Sequence, residues 1–210
     1  RLESKRVFDE LLSPISVGKE SNVFSALTQD NTIVCVKIYR LNTCDFKKMY
    51  TYISADRRFF GVQKRRRSVI FAWAQREYSN LKLAKKAGVL VPTPYAVHEN
   101  VLVMEFLGKK GSTLKLKDSD FDSKKYSKLV IDNMKLLYQK AKLVHGDLSE
   151  FNMLEFNNKP YLIDLSHSAK MNYPNVEELL ERDVKNVVRF FNSRGTNLNY
   201  ETVLSEVKDG

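Results

Sequence analysis

The stretch that decides the fold is His145-Gly146-Asp147-Leu148-Ser149-Glu150-Phe151-Asn152. It carries the spacing H-x-D-L-x-x-x-N of a phosphotransferase catalytic loop. Phosphoryl transfer needs a carboxylate to orient or deprotonate the attacking hydroxyl, and Asp147 supplies one. It also needs an oxygen ligand for magnesium a few residues on, and Asn152 supplies that. His145 is expected to pack behind the loop and bond its backbone. A polar turn between a helix and a strand is the plain alternative, but the eight-residue match is specific. Twelve residues beyond Asn152 comes Ile163-Asp164-Leu165-Ser166. Asp164 is expected to end a short strand, where its carboxylate would take the second protein position on a phosphate-bridging metal. Leu165 and Ser166 stand where kinases carry the Phe and Gly of D-F-G.

Upstream, Ser16-Val17-Gly18-Lys19-Glu20-Ser21-Asn22-Val23 lies in register with G-x-G-x-x-G-x-V. Only the middle glycine is kept. Serines replace the outer two and are small enough for backbone amides to approach phosphates. Alone, this string reads as a β-turn. Val34-Cys35-Val36-Lys37, ending fourteen residues after Val23, is close to V-A-I-K. Lys37 is a cation on an otherwise apolar strand and calls for a carboxylate partner. Glu77, midway along a long helix, is the candidate, unless Lys37 snorkels to the surface. Glycine loop, strand lysine, helix glutamate, Asp with Asn and metal Asp therefore fall in one order. Together they describe an ATP site between two lobes.

The chain around these signals has 210 residues, 43% hydrophobic and 29% charged, which suits a globular protein and not a disordered one. Two cysteines exclude a disulfide-stapled scaffold. No stretch approaches the apolar length of a membrane span, and no signal peptide opens the chain, so the expected setting is cytoplasmic. The periodicity predicts a helix from Leu2 to Leu12, stopped by Pro14, and strands over Val23–Leu27 and Thr32–Tyr39. It predicts a long helix over Ser68–Ala87 capped by Gly88, and hairpins at Tyr95–Phe106 and Met153–Asp164. Further helices are expected over Asp122–Lys142, Val176–Phe191 and Tyr200–Val207. The fold class is therefore α+β: a strand-rich first lobe with one long helix, 1–106, then a mostly helical second lobe, 107–210.

Net charge is +10, and Asn42 to Arg67 concentrates it: eight basic residues against two acids leave +6 there. Tyr50, Tyr52, Phe59 and Phe60 are interleaved. Such a segment suits unpaired nucleic acid, with aromatic side chains stacking on bases. It is expected to be mobile in the free protein, with a short helix near Asp45 to Ile53.

At this point the sequence resembles a known family. SVGKESNVF is similar to the phosphate loop of RIO kinases, and HGDLSEFN and IDLS to their catalytic and metal loops. VKIYR, FAWAQREYSNL and VLVMEFLG resemble the type 1 branch, archaeal-like. The resemblance spans about residues 7 to 192, so 1–210 is expected to form one RIO kinase domain. It implies adenine against the hinge after Met104, bonded by the backbone of Glu105 and Leu107. It implies a flexible loop at 42–67, a role in maturation of the small ribosomal subunit, and a phosphoaspartate on Asp164. Val17 and His167 depart from the usual threonine and glutamine without touching a phosphate or metal ligand.

The expectation is a magnesium-dependent ATP phosphotransferase or ATPase acting as a serine/threonine kinase, with manganese as the alternative ion. Asp147 and Asp164 are the catalytic carboxylates, and Asn152 and Asp164 the metal ligands. Ser16, Gly18, Lys19, Ser21, Val23, Lys37, Glu77, Met104, Glu105 and Leu107 are the ATP-binding residues. The expected partners are ATP and the pre-small ribosomal subunit with its rRNA. With 46 residues after Asp164, neither an activation segment ending in A-P-E nor a peptide-gripping subdomain is expected. One rival is an aminoglycoside- or choline-type phosphotransferase, which shares H-G-D but usually continues His-x-x-Asn. The other is an RNA-binding module with a vestigial site.

Overall fold

The computed structural model describes residues 7–109 and 111–209. The chain divides into two compact units. The first holds the residues up to Ser79 together with 92–113, and the second holds 80–91 together with 114–210.

The first unit is built on a five-stranded antiparallel sheet. In chain order its strands are β1 (Glu10–Val17), β2 (Ser21–Leu27), β3 (Ile33–Tyr39), β4 (Pro94–His98) and β5 (Val101–Glu105). In space they run β1-β2-β3-β5-β4. The helix expected over Leu2 to Leu12 is corrected: Leu2 lies outside the described residues, and Leu11 and Leu12 belong to β1. Adjacent leucines point to opposite faces of a strand, and pairing with β2 decided between two periodicities that this short apolar run satisfies equally. Pro14 stays within β1 because β1 is an edge strand. Its missing N–H falls at a register irregularity between Leu11 and Ser16. Pro94 uses the opposite edge in the same way.

Alternation along the central strands gives the sheet two different faces. Ala26, Val34, Val36 and Val103 share one face and pack with Phe8. Lys37 lies on the other face, directly opposite Val23 of β2 and Leu102 of β5.

The basic segment is folded. Its centre is helix α1 (Phe46–Ser54), whose N-terminus is capped by Asp45 accepting from the Lys48 N–H at 3.1 Å. Met49, Tyr52 and Ile53 sit one helical turn apart and are buried. A 3-10 turn follows at Arg57–Phe59. Buried Asp56 then accepts from Arg58, at Nε 3.0 Å, and from Arg76 Nε at 3.3 Å. Burial pushes the Asp56 carboxyl up, but the hydrogen bonds and charge of Arg58, then the charge of Arg76, outweigh it and hold it below its ordinary value. The expected mobile loop is thus an ordered insert, tied down by its apolar helix face and one buried acid.

Helix α2 runs from Arg66 to Lys86 and ends at Gly88, whose φ of +85° suits a left-handed cap. The second unit takes the end of α2, then β6 (Leu114–Lys115), α3 (Ser123–Gln139), β7 (Leu143–Val144), β8 (Met153–Phe156), β9 (Lys159–Leu162), β10 (Ala169–Lys170), α4 (Val176–Asn192) and α5 (Tyr200–Asp209). Val130, Met134 and Leu137 of α3, Val184 and Val187 of α4, and Val203 and Val207 of α5 are all buried. The β8–β9 hairpin turns at Asn157 and Asn158, both with positive φ, as a two-residue hairpin turn requires. No helix among the described residues is long and apolar enough to cross a membrane.

Candidate active site

In the first unit, the turn between β1 and β2 holds Gly18, with its N–H donating to the Ser21 carbonyl at 2.9 Å. A Cβ at Gly18 would stand 3.1 Å from that same oxygen, so the turn favours glycine there. Ser16 pairs with Val23 and Val17 with Asn22 across the turn. Ser16, Gly18 and Lys19 are exposed. Thr43 Oγ1 donates to the Lys19 carbonyl at 2.9 Å and steadies the tip.

Lys37 is buried and ion-paired to Glu77 at 2.9 Å, with side-chain exposures of 6% and 1%. The snorkelling alternative is thereby removed. The Tyr39 hydroxyl donates to the same carboxylate. A charge pair this dry holds only if both groups are hydrogen-bonded, so α2 and β3 fix the position of the Lys37 ammonium.

At the end of β5, the Glu105 N–H donates to the Thr93 carbonyl at 2.8 Å. Its carboxylate accepts from the Thr93 N–H and hydroxyl at 2.9 and 2.7 Å. A ligand bonded by the Glu105 backbone would therefore meet its carbonyl. Met104 and Leu107 are buried. Gly108 follows at a crowded turn, where a Cβ would fall 2.2 Å from the Ser112 carbonyl oxygen.

In the second unit, Asn152 Nδ2 donates to the Asp147 carbonyl at 2.8 Å and to Asp147 Oδ2 at 3.2 Å. The Ile163 N–H donates to the Asn152 carbonyl at 3.0 Å, continuing the β8–β9 ladder by one pair. Asp164, next in the chain, therefore lies at the same end of the hairpin as Asn152. It does not end a strand as expected. It takes a left-handed conformation (φ 61°, ψ 63°) and opens a 3-10 turn over Leu165–His167. A non-glycine residue held there is uncommon and marks a constrained site. Ser166 Oγ donates to Asp164 Oδ1 at 2.7 Å. Asn80 Nδ2 donates to the Leu165 and Ser168 carbonyls at 2.9 and 3.2 Å, fixing that turn. His145 is buried, but its Nε2 lies 3.0 Å from the Ile163 carbonyl, on the segment that leads to Asp164, and not on the backbone of its own loop as expected.

The sequence reading missed the support beneath this loop. Asp183 of α4 accepts the Gly146 N–H at 2.7 Å and the Leu148 N–H at 2.9 Å. Asn186 donates to the Leu148 carbonyl at 3.0 Å, and Arg182 to the Gly146 carbonyl. Burial pushes the Asp183 carboxyl up to about 6, against the lowering effects of His145, the two backbone N–H groups and Arg182. One signal was available: Asp183 is a lone acid on the helix face that carries Leu180, Val184 and Val187.

The donors present suit a hard cation. The Asn152 amide nitrogen is committed to Asp147, so the atom it offers a cation is its oxygen, and Asp164 adds a carboxylate. Magnesium is usually held by one or two protein oxygens, with waters and phosphates completing its shell. Among the described residues no cluster of three His, Cys, Asp or Glu side chains could hold an ion unaided. Two protein oxygens, from Asn152 and Asp164, would fit that pattern if phosphate oxygens and waters completed the shell.

The family model RIO1, described as the RIO domain, matches residues 22–203. The chain belongs to the RIO family. Among its relatives, the RIO-type serine/threonine-protein kinase Rio1 of Haloferax volcanii is 40% identical over 197 residues, covering 89% of this chain and 65% of that one. The Rio1 of Thermoplasma acidophilum is 37% identical over 187 residues, covering 89% of this chain and 98% of that one. The chain thus spans about two thirds of the length of the Haloferax Rio1, and nearly all of the Thermoplasma Rio1. A Rio2 kinase from Chaetomium thermophilum shares the fold, with a TM-score of 0.73 at 22% identity, over 99% of this chain and 66% of that one. Fold and family agree with the α+β, kinase-like RIO reading of the sequence.

Proposed function

We propose that this RIO-family chain is a serine/threonine kinase or ATPase that uses magnesium-ATP, with manganese able to replace magnesium. The observation that carries the reading is the hydrogen-bonded pair Asp147–Asn152, set beside a left-handed Asp164 at one end of a hairpin. Relatives named as RIO-type serine/threonine-protein kinases support it. So does a Rio2 structure of the same fold, described as an ADP/Mg2+-phosphoaspartate complex.

Asp147 accepts the proton of an attacking hydroxyl. Asn152 and Asp164 would hold the metal, which would supply positive charge against the phosphates. Lys37, positioned by Glu77, bonds phosphate oxygens, and the turn of Ser16, Gly18, Lys19 and Ser21 covers the triphosphate above Val23. Met104, the Glu105 carbonyl and Leu107 receive adenine. Asp164 is also the carboxylate to carry a phosphoryl group if turnover passes through an acyl phosphate. The insert at 42–67 meets ribosomal RNA of the pre-small subunit in the cytoplasm; its charge and aromatic content support this.

Two variants test the assignment. Asp164→Ala should abolish turnover of labelled ATP and weaken magnesium-ATP while adenosine still binds, as read by calorimetry. Asp147→Ala should keep ATP affinity and slow transfer by roughly two to four orders of magnitude. Normal turnover in the first variant, or lost binding with retained rate in the second, would reverse the roles.

A further inference from the structure

The accepting hydroxyl must arrive on some chain, and the phosphate and metal groups do not select it. Four residues from Asp147, the same loop presents Phe151 to solvent with 52% of its surface exposed. Two cations stand over its ring: Lys117 Nζ is 5.4 Å and Lys115 Nζ 5.9 Å from the centroid. They come from a separate segment. Lys115 lies on β6, paired with Leu154 of β8, and Lys117 lies on a 3-10 turn anchored by fully buried Leu116. Arg194 joins this edge by donating to the Lys117 carbonyl. On the acidic side, Asp118 pairs with Lys117 at 2.8 Å, and Glu150 precedes Phe151 with one carboxylate oxygen buried. Directly over the exposed ring, the two lysines outnumber the one acid paired to them, Asp118.

Resting on the kinase reading above, we propose that Phe151, Lys115 and Lys117 form a docking platform for an acidic peptide segment that carries the accepting serine or threonine. The ring packs on the peptide backbone, and the lysines pair with Asp or Glu within a few residues of the hydroxyl. A nucleic acid strand also carries negative charge. The place beside Asp147, however, calls for a side-chain hydroxyl presented on a flexible backbone, which a peptide offers.

The test compares two serine peptides of equal length, one flanked by Asp and one by Lys, as substrates with labelled ATP. The wild type should favour the acidic peptide in kcat/KM by about tenfold, the scale of two exposed ion pairs. Raising the ionic strength should compress that ratio. The Lys115→Glu/Lys117→Glu variant should invert the preference, and Phe151→Ala should weaken both peptides alike. If the reversed variant fails to fold, Lys115→Gln/Lys117→Gln decides, with the preference expected to collapse toward unity. Equal use of both peptides by the wild type overturns the platform, as does an acidic preference that survives either lysine variant. Fluorescence anisotropy of the same peptides with a non-hydrolysable nucleotide reads binding without turnover. Acidic-peptide binding that depends on the lysines, without transfer, would sink the kinase reading and leave the platform standing. Binding of single-stranded oligouridylate with no binding of the acidic peptide would assign the patch to nucleic acid and overturn the proposal.

Discussion

The Asp183 carboxylate accepts the Gly146 N–H at 2.7 Å, so a buried acid on α4 holds the backbone one residue before Asp147. With Leu148 also bonded, Asp183 brackets Asp147 from both sides. Its carboxyl is raised from 3.8 to about 6 by burial, so the folded chain binds a proton there that the unfolded chain has released. The stability from that proton is complete below about pH 4 and is lost as pH rises through 6. Urea unfolding of wild type and Asp183→Asn across pH 4 to 7 should show the wild type losing about 2 kcal/mol relative to the variant over that window. A relative gain would mean that the two N–H bonds, not burial, set the charge state.

The Lys37–Glu77 pair gives a second test. Glu77→Ala leaves a buried ammonium uncompensated and should cost about 3–5 kcal/mol in chemical denaturation. Lys37→Met/Glu77→Leu should recover most of that loss while magnesium-ATP binding stays lost. A double variant as unstable as the single one would show that packing, not charge, holds β3 to α2.

Gly146→Ala tests the catalytic-loop backbone. Gly146 has φ +77°, and an added Cβ would lie 2.7 Å from the His167 carbonyl oxygen. Strain and contact together should cost about 1–3 kcal/mol. Turnover should fall further than stability, because the shift falls on Asp147 and on the turn after Asp164. Thermal melting beside an ATPase assay checks both.

The folded basic insert can be tested directly for RNA binding. Arg66 bonds the Asn42 carbonyl at 3.3 Å and lies over Phe46, so neutralising it would damage the insert itself. Lys47, Lys48, Arg57 and Arg65 are exposed and offer cleaner sites. Replacing all four with glutamine should weaken single-stranded RNA binding and flatten its salt dependence by about 0.7 log units for each phosphate contact removed. Basal ATP hydrolysis should stay near wild type. An unchanged slope in a folded variant would leave this charge as solvated surface.

Much of the candidate site could be read from residue order because the proposed chemistry rests on short, rigid spacings. Asp147 and Asn152 must share one loop, and Lys37 must interrupt an apolar strand, so both showed as local pattern. The N-terminal segment was misread because Leu11 and Leu12 fit two periodicities, and only pairing with β2 distinguishes them. The basic segment looked mobile because its charge is visible in sequence. Its anchors, the one-turn spacing of Met49, Tyr52 and Ile53 and the acid Asp56, act through burial.

The sequence alone determined the order of the parts: the glycine turn, the strand lysine Lys37, the helix glutamate Glu77, the Asp147–Asn152 loop and Asp164. Those depend on residue type and spacing, which a chain carries whether folded or not. Tertiary structure alone decided that Asp183 supports the loop, that Asp164 sits in a left-handed turn fixed by Asn80, and that Phe151 lies exposed beneath two lysines. Each of these joins residues dozens of positions apart, or sets a backbone angle. Such contacts exist only once burial has withdrawn competing water and made a single hydrogen-bonded arrangement the cheapest one.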